Sequence, residues 1–157
     1  MYNDFFQGDC EIFGIDIDER CKNFETENTH VFIVNQGNRE ELEEFKKLIG
    51  ETKFDIIVDD GSHVSKDQFI SIANLFELLK DDGIYIIEDL HANYTENNGI
   101  TEKPIVWCIF NNKNSYLTDE EYSNLVSHID YKVVYLKNNE NHEFNDMAVT
   151  CIIKFKK

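Results

Sequence analysis

Two short stretches of this chain end in the residue types that bind cations and move protons. Residues 54–63 read FDIIVDDGSH and residues 84–91 read IYIIEDLH, so each is a compact apolar run that breaks into adjacent carboxylates and then reaches a histidine. Asp60, Glu88 and Asp89 offer an all-oxygen donor set, which suits Mg²⁺, Mn²⁺ or Ca²⁺ rather than zinc. His63 follows beyond Gly61, where the absent Cβ lets the backbone turn sharply. An imidazole of ordinary pKa, about 6.5, can take a proton near neutrality. At this place it could equally ligate the metal or simply begin a helix. Asp16 closes a third apolar run, IFGID, where an acid can accept hydrogen bonds from ribose hydroxyls. Asp18 is the alternative, and a helix N-cap is the plain structural role of either.

These carboxylates can meet only if the runs that carry them lie side by side. Short runs rich in Ile and Val read as buried strands of a parallel sheet. Between the two, residues 65–80 place Phe69, Ile72, Ala73, Phe76 and Leu79 at helical spacing, and Ser65 with Gln68 has the form of a capping box. The result is a strand, helix, strand unit. In open α/β sheets ligands bind beyond the carboxyl ends of the strands, which is where Asp59, Asp60, His63, Glu88, Asp89 and His91 are expected to gather.

The rest of the chain supplies further elements of the same kind. Residues 11–17 and 30–34 read as strands, the second ending in a polar turn of Asn35, Gln36, Gly37 and Asn38. Residues 39–49 form a charged helix with Leu42, Phe45 and Leu48 or Ile49 on one face, stopped at Gly50. Asp81, Asp82 and Gly83 supply a tight turn into the second central strand. Residues 95–104, with the only proline, form a loop placed to cover the site. Residues 105–110 fit either a helical turn or a strand. Thr118 and Glu121 stand at capping-box spacing and open a helix over 118–129, and residues 131–136 and 147–155 pair as an antiparallel hairpin with a long polar loop. The expectation is a single domain, 1–157, with a doubly wound, mainly parallel α/β sheet of about six strands and an antiparallel C-terminal hairpin.

Composition narrows the partners. With 41% hydrophobic and 13% aromatic residues the chain reads as globular rather than disordered. A formal net charge of -16 disfavours a nucleic-acid backbone or an anionic membrane surface, and favours a cationic or metal-bridged ligand. The four cysteines form no CxxC pair and read as ordinary thiols. No apolar run approaches the roughly 20 residues needed to cross a bilayer. The start of the chain lacks the basic and apolar segments of a signal peptide, so the expected setting is the cytoplasm.

The motif DDGSH (59–63), followed 25 residues after His63 by EDLH (88–91), with GID (14–16) before them, resembles the class I S-adenosylmethionine-dependent methyltransferases. Within that class the similarity is closest to the metal-dependent O-methyltransferases of macrolide sugars, over residues 7–94. The resemblance implies S-adenosylmethionine and Mg²⁺ (or Mn²⁺) as cofactors, and a sugar-containing small molecule as substrate. It further implies metal ligands Asp60, Glu88 and Asp89, His63 as general base, Asp16 at the cofactor ribose, and either the turn of Asn35, Gln36 and Gly37 or Asp59 near the adenine.

One part of the family pattern is missing. Members place a strand and a Gly-rich loop before the GID strand, and that strand is central in their sheet, between the GID and DDGSH strands. Here about ten residues precede the GID strand, with Gly8 their sole glycine. The domain is therefore expected to be incomplete at its N-terminal side, with residues 2–7 as the tail of a helix. These 157 residues alone are then expected to bind the cofactor weakly and methylate nothing, and the unpaired strand edges invite self-association or a partner strand. Two other readings stand beside this one. IFGIDID also fits the DxD opening of haloacid dehalogenase-type Mg²⁺ phosphatases, although Arg20 stands where Thr or Ser is expected. The third is a non-catalytic interaction module.

Overall fold

A computed structural model of the chain describes residues 5–7, 9–90, 105–111, 116–137 and 148–156. Strand β1 (Ile12–Asp16) lies parallel to β2 (Thr29–Ile33), with Ile12 opposite Thr29 and Asp16 opposite Ile33. Between them is a 3-10 helix, Glu19–Phe24, which buries no residue and so carries no apolar period for sequence reading to find. Its N-cap is Asp18, which accepts the Arg20 N–H and pairs with the Arg20 guanidinium. Helix α1 (Arg39–Ile49) is capped by the Asn38 side chain and ends at Gly50, whose φ of 61° suits a residue without a Cβ. It buries Leu42, Phe45 and Ile49, whereas Leu48 is 73% exposed, so Ile49 completes the apolar stripe.

The central unit runs from β3 (Phe54–Asp59) through helix α2 (Ser65–Leu75) and a 3-10 turn, Phe76–Leu78, into β4 (Leu79–Ile87). Two expectations need correction. The helix stops at Leu75 rather than continuing to Lys80, and the strand already begins at Leu79. Phe54 pairs with Leu79 while Ile56 pairs with Ile84, so the Asp81, Asp82 and Gly83 segment is a bulge within β4 and not a turn ahead of it. Gly83 is needed there, because a Cβ would stand 2.9 Å from the Phe54 carbonyl oxygen. The capping box at Ser65 is also absent. The Val64 carbonyl accepts the Gln68 N–H, which makes Val64 the N-cap, and Ser65 is buried within the first turn.

The ambiguous residues 105–110 form a helix, α3 (Ile105–Phe110). Helix α4 (Asp119–His128) opens on the expected capping box, with Thr118 and Glu121 bonding each other's backbone. Strands β5 (Ile129–Lys137) and β6 (Ala148–Phe155) pair antiparallel, and β6 inserts between β4 and β5 to give the order β3-β4-β6-β5. Phe5, Phe6 and Gln7 form an exposed helical turn.

Six strands are present among the described residues, but they divide into a two-stranded and a four-stranded sheet, and no ladder there joins β1 to β3. The break falls where the central strand was expected to be missing. Side-chain contacts connect the halves, among them the Phe13 and Phe54 rings, 5.4 Å apart edge to face, Gln36 with Asp59 and with the Ser62 N–H, and the bidentate pair of Arg39 with Glu121. Arg39 also donates to the Tyr116 carbonyl at 3.0 Å, so it fastens α1 to the start of α4 and holds the Glu121 carboxyl below its ordinary pKa.

The core combines Leu42 and Phe45 of α1 with Phe69 and Ile72 of α2, Tyr85 and Ile87 of β4, Leu125 of α4 and Ile153 of β6. Phe69 is fully buried and packs against Tyr116. Truncation of such a ring costs about 3–5 kcal/mol, a large part of the roughly 5–15 kcal/mol that holds a domain together. Phe69→Ala is therefore expected to lower the urea midpoint sharply, whereas Leu48→Ala should leave it within the error of the measurement.

Candidate functional site

The site forms where β3 and β4 end side by side, tied by the Glu88 N–H to the Asp59 carbonyl at 2.9 Å. Asp60, His63 and Asp89 each place one ligating atom within 4.8 Å of the others. Two of them stand on strained backbone, His63 with φ 56° and Asp89 with φ 50°. Left-handed conformations of non-glycine residues cost about 1–3 kcal/mol and persist where surrounding structure imposes them. His63 Nδ1 is buried and has no hydrogen-bond partner among the described residues. Glu88 lies outside that trio, yet it feels it. Burial raises its carboxyl pKa first, and the charges of Asp60 and Asp89 raise it further. Negative charge is thus concentrated at one strand edge.

A second layer sets this edge in place. Asp59 is buried, and its carboxylate accepts from Gln36 Nε2 at 3.0 Å and from the Tyr85 hydroxyl at 3.3 Å. Tyr85 in turn meets Ser71 Oγ of α2 at 3.0 Å. Gln36 also accepts the Ser62 N–H at 2.8 Å, so one side chain clamps both arms of the DDGSH turn. Gly61 leaves room for this clamp, since a Cβ there would displace the Gln36 amide. Burial pushes the Asp59 carboxyl pKa up, with its hydrogen bonds working in the opposite direction, and the nearby Asp59 charge adds to burial in pushing Tyr85 well up.

The remaining predicted residues sit at the same end of the fold. Asp16 is exposed at the end of β1, where its Oδ1 accepts the Asp18 N–H at 2.8 Å. Asn35 Oδ1 accepts the Gly37 N–H at 2.9 Å, and the Asn35 N–H reaches Glu41 at 2.7 Å, so the turn after β2 is locked to α1. Asp59 differs from them because it faces inward and its oxygens are used within the fold. His91 and the loop 95–104 lie outside the described residues. Sequence reading missed Tyr85 and Ser71. The one signal was a tyrosine among the isoleucines of a buried run, where its hydroxyl must find a partner.

The DxD reading of Asp16 and Asp18 is at odds with this geometry. Asp18 is consumed by capping and by Arg20, and neither acid belongs to the cluster around Asp60.

No protein-family model matches the chain. Among curated proteins it is similar to the 8-demethyl-8-alpha-L-rhamnosyl tetracenomycin-C 2'-O-methyltransferase of Streptomyces olivaceus, 31% identical over 53% of this chain and 21% of the relative. It is also similar to the demethylmacrocin O-methyltransferase of Streptomyces fradiae, 33% identical over 66% of this chain and 25% of the relative. The chain spans a quarter or less of the length of these relatives. Among solved structures the MycE methyltransferase of the mycinamycin biosynthetic pathway, in complex with Mg, SAH and mycinamycin VI, superposes with a TM-score of 0.67 at 19% identity, over 99% of this chain and 39% of that one. The fold is therefore the Rossmann-like fold of class I methyltransferases, and the sequence similarity lies with O-methyltransferases of sugar-bearing natural products.

The buried Asp59 gives a pH test. Its folded pKa is raised above the unfolded value, so the folded state holds the extra proton, and its contribution to stability is lost as pH rises through the folded pKa. Asp59→Asn removes that titration while keeping an acceptor for Gln36. The difference in melting temperature, variant minus wild type, is expected to become more positive as pH rises from about 4, the ordinary Asp value. A difference that stays constant with pH would show that Asp59 is not the titrating group.

Proposed function

We propose that this chain carries the metal-binding and acceptor-activating part of an S-adenosylmethionine-dependent, Mg²⁺-assisted O-methyltransferase that acts on a sugar or glycosylated small molecule. The observation that carries this reading is the convergence of Asp60, His63 and Asp89, with Glu88 beside them, at the carboxyl ends of two parallel strands. The donor set fits a hard divalent cation, because it is dominated by carboxylate oxygens. Mg²⁺ or Mn²⁺ supplies a positive charge that acidifies a coordinated hydroxyl, and S-adenosylmethionine supplies an electrophilic methyl group.

Each residue then has a definite task. Asp60, Glu88 and Asp89 would hold the metal, whose charge would offset the Asp60 and Asp89 charges that, after burial, raise the Glu88 carboxyl pKa. His63 takes the proton of the acceptor hydroxyl, and its strained backbone aims the imidazole at the carboxylates. Asp16 binds the cofactor ribose, and the turn of Asn35, Gln36 and Gly37 borders the adenine. Asp59 acts through Gln36 and Tyr85 as a positioning residue. A sugar with neighbouring hydroxyls would suit this arrangement, because a bound cation would hold the reacting hydroxyl beside His63. The strongly negative chain supports a small-molecule partner over nucleic acid, and a cytoplasmic setting is part of the same reading. Among the described residues no helix is long and apolar enough to cross a membrane.

A second assignment is favoured by one observation: His63 is itself within ligating distance of Asp60 and Asp89. Mn²⁺ titration separates the two roles. Asp60→Asn and Asp89→Asn are expected to weaken Mn²⁺ binding at least about tenfold, or 1.4 kcal/mol. His63→Gln should leave it within about twofold if the imidazole is the base, and should weaken it as much as the aspartate variants if it is a ligand. Equal affinity in wild type, Asp60→Asn and Asp89→Asn would overturn the metal site.

A further inference from the structure

The turn after β2 reaches the acidic strand ends through one side chain. Gln36 Nε2 donates to Asp59 Oδ1 at 3.0 Å and its Oε1 accepts the Ser62 N–H at 2.8 Å, so a single carboxamide spans the residues on either side of Asp60 and Gly61. The amide fits in one orientation, because its nitrogen must face the carboxylate and its oxygen the N–H. A Cβ on Gly61 would stand 1.7 Å from Gln36 Oε1, so the amide lies directly on the turn. Just beyond the clamp, His63 holds φ 56°. Left-handed backbone at such a residue persists where its surroundings impose it, and Ser62, held by its N–H, is the residue from which that conformation starts. A second brace acts beside the first. Ser62 Oγ donates to Asp67 Oδ2 at 3.0 Å, and Asp67 Oδ1 comes so near the other turn that a Cβ on Gly37 would stand 2.3 Å from it. The turn of Asn35, Gln36 and Gly37 is thus fitted to the DDGSH turn.

We propose that Gln36 is a positioning residue for the metal site: its carboxamide closes the DDGSH turn and so sets the spacing of Asp60 and His63, two of the three residues whose ligating atoms converge there. The consequence for metal binding rests on the reading given above. The Gln36 side chain is occupied by the clamp, so any contact of this residue with the adenine falls to its backbone. Chemistry makes the requirement specific, because the clamp needs a donor and an acceptor on one planar group at the reach of the glutamine stem. Methionine has the length but neither atom. Glutamate keeps an acceptor for Ser62 but sets a second carboxylate against Asp59, where like charges repel. The sign of that change separates positioning from bulk electrostatics. A negative charge added beside the cluster should by itself strengthen cation binding, whereas opening the clamp should weaken it.

The test measures the Mn²⁺ affinity of the whole 157-residue chain in a double-variant cycle, together with amide exchange and the relaxation of the His63 ring protons. Gln36→Glu is expected to weaken Mn²⁺ binding at least about fivefold in the wild-type background and to change it by less than about twofold in the Asp59→Asn background. There the introduced amide can donate to the introduced carboxylate, which restores the bond with its polarity reversed. Gln36→Met removes the clamp without adding charge. In the metal-free chain it should speed exchange of the Ser62 amide at least about tenfold, while Tyr85 and Ile153 in the β4–β6 ladder stay protected. At saturating Mn²⁺ its His63 ring should lose part of the relaxation seen in wild type. Stronger Mn²⁺ binding by Gln36→Glu, or equal weakening in both backgrounds, overturns the inference. So does unchanged Ser62 exchange in Gln36→Met, or loss of protection at Tyr85 and Ile153 along with Ser62, which would make Gln36 a general support of the fold. A wild type that binds no Mn²⁺ would instead sink the metal reading, and the Ser62 exchange of the metal-free chain would then decide the clamp by itself.

Discussion

The two sheets of this fold share no ladder among the described residues, so side chains relate them, and the most deeply placed of these links is a buried carboxylate with the groups that satisfy it. Asp59 ends β3, and Gln36 reaches it from the turn that follows β2. An isolated carboxylate in such a place would be costly, and the cost would be several kcal/mol were its oxygens left unpaired. Here Gln36 and Tyr85 occupy them, and Ser71 extends the network into α2. The low dielectric that raises the Asp59 pKa also strengthens each of these hydrogen bonds. Position is thereby transmitted from α2 and β2 to the DDGSH turn, and from there to Asp60 and His63.

The acidic edge is built against resistance. His63 and Asp89 hold left-handed backbone, and Glu88 is pushed toward its neutral form by burial and then by the Asp60 and Asp89 charges. A fold selected for stability alone would relax such a cluster, since exposed acids gain nothing from facing one another. The thiols offer a contrast. Burial drives the Cys151 thiol up to about 12 even with Lys132 nearby, which leaves it an inert part of the core. Local strain and like charge together mark the strand ends as the place where the molecule is not optimised for itself.

Much of this was legible in the chain. The apolar runs gave the strands, and the periodicity of Leu42, Phe45 and Ile49 gave α1 with both its ends, because there the cap residues and the apolar stripe agree. Thr118 and Glu121 marked α4 in the same way. At Ser65 the same spacing misled, since the helix takes Val64 as its N-cap and Ser65 falls inside the first turn, one position too late to cap it. The boundary of α2 was misplaced for a tertiary reason: Leu79 keeps helical spacing, but pairing with Phe54 draws it into the sheet. The clustered acids could be read from sequence because adjacent parallel strands bring their carboxyl ends together whatever the details. The inward role of Asp59 could not, because it is decided by Gln36 and Tyr85, residues 23 and 26 positions away.

The missing ladder and the acidic site are parts of one problem. Asp16 and Asp60 border the carboxyl end of the same gap, one on each side. Among the described residues the spacing of β1 and β3 rests on side-chain contacts, namely the Phe13–Phe54 rings, Gln36 with Asp59 and Ser62, and Arg39 with Glu121, and on the packing of α1 on α2. Side-chain contacts of this kind permit small displacements that a ladder does not, and an error of about 1 Å between groups that must act together can cost on the order of a hundredfold in rate. The acids proposed to hold the metal lie wholly on the β3–β4 side, where Asp60 and Asp89 are already brought together. The acid proposed to bind the ribose, Asp16, lies on the β1 side, so joint use of the two sides depends on the contacts that hold β1 and β3 at a fixed spacing.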